Sequence, residues 1–399
     1  MTVTETFPPQ FMRTVPPPEI PDALLSAFES IPESPAASAV RSAAWKTFSG
    51  LGLPRTNDEE YSFTSISEIK SLFSRVPNTD SKTGFEVAKV KGVENISESV
   101  WVKTVATEND VASALAIALA PQYTALRLIA GTKLEQTSDI TYRNNELRTD
   151  AALFFEMEKD SAAKIDLRST SSTSDGFFNG SLVFHLGENA ELDFAEMPPV
   201  EGAQMLKLHF IMERGAKLRF LSASTGSRFQ RLAIEVDLLD SNTEVDLRGA
   251  AVVGGTNRCH RHVLVHHHAP DCVSRQLFKA VVLGSGRSSV DGTVIVDRGA
   301  QHTDAKQLLR HLMLSKDAKA DSKPRLYIHA DDVKCSHGAT VGKMDANQLF
   351  YLRSRGLDMD SANSLLTHAF LGEALDASAL TDFREAARSR LLAALERKS

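Results

Sequence analysis

The sequence predicts a mainly β protein built on a parallel β-solenoid flanked by helical regions, and three observations carry that expectation. A five-residue pattern returns through the middle of the chain: Ala163-Lys164-Ile165-Asp166-Leu167, Ala190-Glu191-Leu192-Asp193-Phe194, Ala216-Lys217-Leu218-Arg219-Phe220, Thr243-Glu244-Val245-Asp246-Leu247 and, more weakly, Asp271-Cys272-Val273-Ser274-Arg275. The starts lie 27, 26, 27 and 28 residues apart, an interval that suits one solenoid turn stacked on the next. Between them, residues 182–186, 206–210, 232–236 and 262–266 alternate apolar and polar, with Gly187-Glu188-Asn189, Arg214-Gly215 and Asp240-Ser241-Asn242 as turns. Outside this block the apolar period shifts from 2 to 3.6. An antiparallel sandwich also has short alternating strands, but it gives no reason for a constant interval.

Taken in order, residues 1–22 hold Pro8, Pro9, Pro16, Pro17, Pro18 and Pro21 and read as an extended arm. Residues 23–140 read as a helical or mixed region: Leu24, Phe28 and Ile31, then Trp45 and Phe48, then Ile66, Ile69 and Leu72 fall at helical spacings. Asp110 and Pro121 bracket a further helix with Val111, Leu115, Ala116 and Leu119 on one side. Residues 141–342 form the solenoid core, its last turns near 292–296 and 325–329. A solenoid ends in an exposed backbone edge, so a cap is expected. Residues 343–399 offer a three-helix module that closes the core, docks a partner, or both. Its helices are Asp345 through Leu349, Phe350, Leu352 and Arg353 to Gly356, a second from Asp360, and a third from Thr381 or Asp382.

Composition narrows the function classes. A formal charge of -6 and a pI near 6.1 argue against nucleic acid as a partner, because neutralising phosphates needs a basic face. No apolar run reaches the roughly 20 residues that cross a bilayer, and the start at Met1-Thr2-Val3-Thr4-Glu5 lacks a signal pattern; a cytoplasmic location is expected. Three cysteines, Cys259, Cys272 and Cys335, without CxxC spacing suggest free thiols rather than disulfides or a thiolate zinc site.

Standard enzyme signatures GxGxxG, HExxH and GxSxG do not occur. The stretch Gly338-Ala339-Thr340-Val341-Gly342-Lys343-Met344 resembles a phosphate loop, but only three residues separate its glycines and Met344 stands where Ser or Thr must hold Mg²⁺. No bound nucleotide is therefore expected. Two chemical constellations remain. His260, His262, His266 and His268 alternate, so on a strand they would share one face as a ligand row for a borderline metal, or simply stack on a surface. Cys335 and His337 stand two apart between Asp331-Asp332 and the C-terminal module, so in an extended segment both project to one side, with Lys334 placed to lower the thiol pKa. The bland alternative is a buried cysteine beside a backbone-bonded histidine.

With these residues in hand, the chain resembles the SufB/SufD family of the SUF iron–sulfur cluster assembly machinery. The resemblance runs through Ser274-Arg275-Gln276-Leu277-Phe278-Lys279, Asp291-Gly292-Thr293-Val294-Ile295-Val296, residues 300–314 and above all residues 331–356. Cys335-Ser336-His337-Gly338-Ala339 stands where SufB-like chains carry an acidic stretch, which places the resemblance on the SufD side. It implies a right-handed parallel β-helix and a non-catalytic scaffold subunit that pairs with a SufB-like sister and docks a SufC-like ABC ATPase. It further implies Cys335 and His337 at the SufB interface as candidate ligands for iron or a nascent Fe–S cluster, and Leu349, Phe350, Tyr351 and Arg353 as the SufC-docking surface. A SufB-type scaffold subunit and a β-helical polysaccharide-active enzyme are the alternatives, the latter disfavoured by only 5 Tyr and 2 Trp. A homodimer of the isolated chain, storing metal on the histidine row, is a further reading.

Overall fold

Alternation with a period of two folds the middle of the chain into two nine-stranded sheets, here described from a computed structural model covering residues 20–31, 35–77, 84–144, 146–376, 378 and 380–396. With strands numbered along the chain, the first sheet runs β1 (Glu86–Val87), β4 (Lys133–Asn144), β6 (Ala162–Ser172), β8 (Glu191–Met197), β10 (Lys217–Ser224), β12 (Glu244–Val253), β14 (Val273–Val282), β16 (Asp304–Met313), β18 (Lys334–Gly342). The second runs β2 (Val93–Asn95), β3 (Tyr123–Leu128), β5 (Thr149–Met157), β7 (Phe177–Leu186), β9 (Ala203–Met212), β11 (Phe229–Leu238), β13 (Arg258–His267), β15 (Arg287–Val296), β17 (Lys319–Ile328). From β3 onward consecutive strands alternate between the sheets, giving a parallel solenoid of about 7 turns. Only β1 and β2, at the N-terminal end, pair antiparallel among the described strands.

One corner of each turn needs a left-handed backbone. Asp160, Asn189, Gly215, Asn242, Asp271 and His302 all have φ between 56° and 65° there, a conformation that Gly, Asn and Asp reach at the least steric cost. The amides of Asp160, Asn189 and Gly215 donate to the carbonyls of Glu188, Arg214 and Ser241 one turn on, so the corners stack as a ladder. Asn189, Gly215 and Asn242 are the ones that the sequence pattern marked as turns.

Inside, apolar positions form columns. One runs through Ile165, Phe194, Phe220 and Leu247 on successive rungs, then through Gln276, Gln307 and His337. The expected repeat has this register for the second, third and fourth copies. The first copy is offset by two residues, Ile165 pairing with Phe194, which keeps the faces. The fifth is offset by one: Val245 pairs with Ser274 and not with Val273. A one-residue shift exchanges the faces of a strand, so Ser274, Gln276 and Phe278 point inward. Gly249 is required at that level, because a Cβ would run into the Phe278 ring.

The N-terminal helices α1 (Asp22–Ser30), α2 (Pro35–Leu51), α3 (Ile66–Phe73), α4 (Val102–Ala106) and α5 (Val111–Leu119) precede most of the solenoid. Asp110 caps α5 by accepting from the Ser113 amide at 3.0 Å. The one-sided helix expected there is instead buried on every side, because α5 lies between α2 and the outer face of β5, β7 and β9. Two buried ion pairs pin this layer: Arg231 to Asp110 at 3.0 Å and Lys207 to Glu108 at 3.1 Å. The Arg231 guanidinium also lies 4.4 Å from the centre of the Tyr61 ring. The arm expected over residues 1–22 falls almost wholly outside the described residues.

At the C-terminus follow α6 (Ala346–Ser354), α7 (Met359–Leu375) and α8 (Thr381–Glu396). Asp345 caps α6 and Gly356, at φ 95°, follows its end; α7 starts at Met359 under Asp358 rather than at Asp360. The expectation that this module closes the solenoid end is corrected. Leu371, Ala374, Leu375, Phe383, Ala387 and Leu391 bury themselves against Leu221, Ala223, Ala250, Val252 and Val281, on the outer flank of β10, β12 and β14. That flank presents an apolar stripe for the helices to cover, whereas β17 and β18 present few apolar side chains, and among the described residues no helix covers that end.

Candidate functional site

The last solenoid strand lies beyond the turn expected near 325–329: residues 334–342 form it, β18. Among the described strands it pairs only with β16, Ala305 facing Cys335, Gln307 facing His337 and Leu309 facing Ala339. Since Ala305, Gln307 and Leu309 are buried in the interior, Cys335 and His337 stand on the core-facing side of the terminal rung, as their spacing predicts. Cys335 is half-buried against the cluster of Val294, Val296, Ala300, Ala305 and Ala330, while His337 is exposed. Lys334 projects to the opposite, exposed side, so it does not activate the thiol. Burial and the nearby Asp304 carboxylate push the Cys335 thiol up despite a hydrogen bond from the Ala305 backbone, which corrects the expected lowering.

Behind this end the core turns polar, a feature the repeat pattern does not announce. Gln307 Nε2 donates to Gln276 Oε1 at 2.8 Å, His267 Nε2 lies 2.9 Å from Ser274 Oγ, and His311 bridges Ser288 Oγ at 3.1 Å and Ser322 Oγ at 2.9 Å. Burial and the Arg261 charge pull His311 down to about 4, so it is neutral at ordinary pH. The sequence signal was the interruption of apolar alternation at Ser274 and Gln276, masked by the slipped register.

The four alternating histidines do not act as one row. His260 is buried with Nδ1 2.7 Å from Ser289 Oγ, and burial with the surrounding arginines pulls it down to about 3. His262 lies 3.8 Å from the Asp291 carboxylate. Only His266 and His268 come together, ring centres 3.6 Å apart. Residues outside the row complete this group: His268 Nε2 is 2.9 Å from Asp237 Oδ1, His268 Nδ1 is 3.1 Å from Asp297 Oδ2, and His209 Nε2 is 2.8 Å from Asp237 Oδ2. Burial lowers the His268 pKa, but its hydrogen bonds to Asp237 and Asp297 outweigh that and hold it at about 9.

The third feature is α6, in which no residue is buried. Phe350 is 75% and Tyr351 56% exposed, with Leu349 half-buried and Arg353 exposed beside them. Burying such side chains is worth roughly 1.5–3 kcal/mol each, and among the described residues nothing covers this pair.

Against known proteins, an iron–sulfur cluster assembly SufBD family protein of Synechocystis is 33% identical over 194 residues, 48% of this chain and 43% of that one. The iron–sulfur cluster assembly protein SufD of Escherichia coli is 37% identical over 152 residues, 38% of this chain and 36% of its own length. Protein ABCI7, chloroplastic, of Arabidopsis thaliana is 34% identical over 224 residues, 54% of this chain and 47% of its own. This chain thus spans less than half the length of each of these relatives. Residues 142–370, more than half of the chain, match the family described as SUF system FeS cluster assembly, SufBD core domain. They take in the solenoid from within β4 through β18, all of α6 and most of α7, and so the chain belongs to the SufB/SufD family of iron–sulfur cluster assembly proteins.

Proposed function

We propose that this chain is a SufD-like, non-catalytic scaffold subunit that joins a SufB-like sister through the open end of its solenoid and docks a SufC-like ABC ATPase through α6. The observation that carries this reading is the uncovered terminal rung, with Cys335 and His337 on its core-facing side. An edge strand offers unpaired amides and carbonyls to a partner, and a like-folded sister would continue the column past Gln307. Iron or a nascent cluster, the cargo of the system, would then meet a thiol and an imidazole from this side and further ligands from the sister. The raised thiol pKa works against Cys335 as a ligand in the unassembled chain, so the exposed His337 is the better ligand there.

In this reading ATP hydrolysis belongs to the partner, and its motion reaches the site by a short path. Phe350 and Tyr351 would seat in an apolar depression of the ATPase, and only Lys343, Met344 and Asp345 separate α6 from β18. A shift of α6 as two ATPase subunits close would pull on the strand that carries His337. The test is reconstitution with the sister subunit and the ATPase: His337→Ala is expected to reduce cluster formation on the complex while leaving its assembly intact, and undiminished cluster formation overturns the ligand role. Phe350→Asp is expected to abolish copurification of the ATPase without loss of the sister. We place the protein in the cytoplasm or an equivalent reducing compartment on its free cysteines.

A homodimer of the isolated chain, two open ends facing each other, is the second reading that the same uncovered edge favours.

A further inference from the structure

Among the described residues, metal-ligating side chains gather on the outer face of the second sheet. Asp237, His266 and His268 offer ligand atoms that all lie within 4.8 Å of one another, and His209, Glu235 and Asp237 form a second such group sharing Asp237. The strands fix this arrangement before any ion arrives. Asp237 on β11 pairs in register with His266 on β13, and Glu235 with His209 on β9.

We infer that Asp237, His266 and His268, with His209 as the adjoining donor, bind a borderline divalent cation of the zinc type. Imidazole nitrogen and carboxylate oxygen are the donors such ions prefer, at about 2.0–2.2 Å. The His268 Nε2 and Asp237 Oδ1 atoms, 2.9 Å apart, need to part by only a few tenths of an ångström to become neighbouring corners of a tetrahedron at those bond lengths. The second nitrogen of His268 already has its carboxylate: Nδ1 lies 3.1 Å from Asp297 Oδ2, the outer contact that orients a ligating histidine and raises its basicity. All three proposed core ligands are half-buried, so an ion can enter while the backbone holds the geometry. Only His266 and His268 of this set belong to the alternating histidines, and the carboxylate that joins them comes from a strand about thirty residues earlier, which is why spacing alone cannot find it.

The experiment uses the full chain, stripped with a chelator and titrated with Zn²⁺ by calorimetry and with Co²⁺ by visible absorption. One equivalent is expected to bind with nitrogen-ligated tetrahedral cobalt bands, and Asp237→Asn and His268→Gln are each expected to weaken binding at least tenfold. His262→Gln, outside the group, and the double substitution Cys335→Ser with His337→Ala are expected to leave that equivalent in place, which separates this site from the solenoid end. Ring ¹⁵N signals of the unsubstituted protein supply a readout that needs no variant: Zn²⁺ is expected to shift those of His266 and His268. Absence of a bound equivalent, unchanged affinity in both Asp237→Asn and His268→Gln, or shifts confined to other histidines would each overturn the assignment.

Discussion

The two halves of one interior column differ in kind. Toward the N-terminal side the rungs are Ile165, Phe194, Phe220 and Leu247; toward the C-terminal side they are Gln276, Gln307 and His337. In the first half Phe184 stacks on Phe210 at 5.2 Å and Phe194 on Phe220 at 6.0 Å, a continuous aromatic core. In the second half Gln307 donates to Gln276 in a buried setting, where an unmade bond costs more than a made one gains. The N-terminal end carries the antiparallel β1 and β2 strands, while among the described residues nothing covers the C-terminal end at β17 and β18. Apolar packing supplies stability wherever it occurs; the polar rungs leading to the open edge are the ones that the proposed pairing with a sister subunit would complete.

The sharpest way to break this contrast is to truncate one rung in each half. Phe194→Ala is expected to cost about 3–5 kcal/mol in denaturant unfolding, the range for an aromatic removed from a close-packed core. Acid should act on the polar half in particular. His311, held neutral at about 4 when folded, has a pKa near 6.5 in the unfolded chain. Its share of stability is therefore present in full above pH 6.5 and is lost as pH falls toward 4, at most about 3 kcal/mol by linkage. His311→Gln should flatten that limb of the stability–pH curve, and a curve of unchanged slope between pH 6.5 and 4 contradicts the assignment.

The glutamine pair sharpens the comparison further. Gln307→Leu alone leaves Gln276 unsatisfied and is expected to cost about 1–3 kcal/mol, whereas the double change with Gln276→Leu should recover most of that loss. Thermal melts of the single and double variants measure the coupling. At the open rung the effect should vanish: His337→Ala is expected to change the stability of the isolated chain by no more than about 0.5 kcal/mol, so any loss of cluster assembly in that variant is functional.

Much of this was legible in the sequence because its physics is local. The left-handed corners favour Gly, Asn or Asp, and the recurrence of Asn189, Gly215 and Asn242 marked the turns. Asp345 and Gly356 bounded α6 by capping chemistry alone. Cys335 and His337 share a face simply because a strand alternates. What remained hidden depends on contacts between distant segments. The one-residue shift at β14 is defined only by its pairing with β12, so the interrupted alternation at Ser274 and Gln276 could not be read as an inward placement. The flank under α7 and α8 forms only when β10, β12 and β14 lie side by side, so the module's seat could not be told from a cap. Asp237 meets His266 for the same reason.

Hydrogen exchange at the amides of β18, residues 334–342, tests the central claim most directly. In the chain diluted to monomer, the amides on the free edge should exchange rapidly while those bonded to β16 stay protected. On adding the sister subunit, the account predicts protection of that free edge together with β17. Unchanged exchange at β18 in a complex that has formed would contradict it.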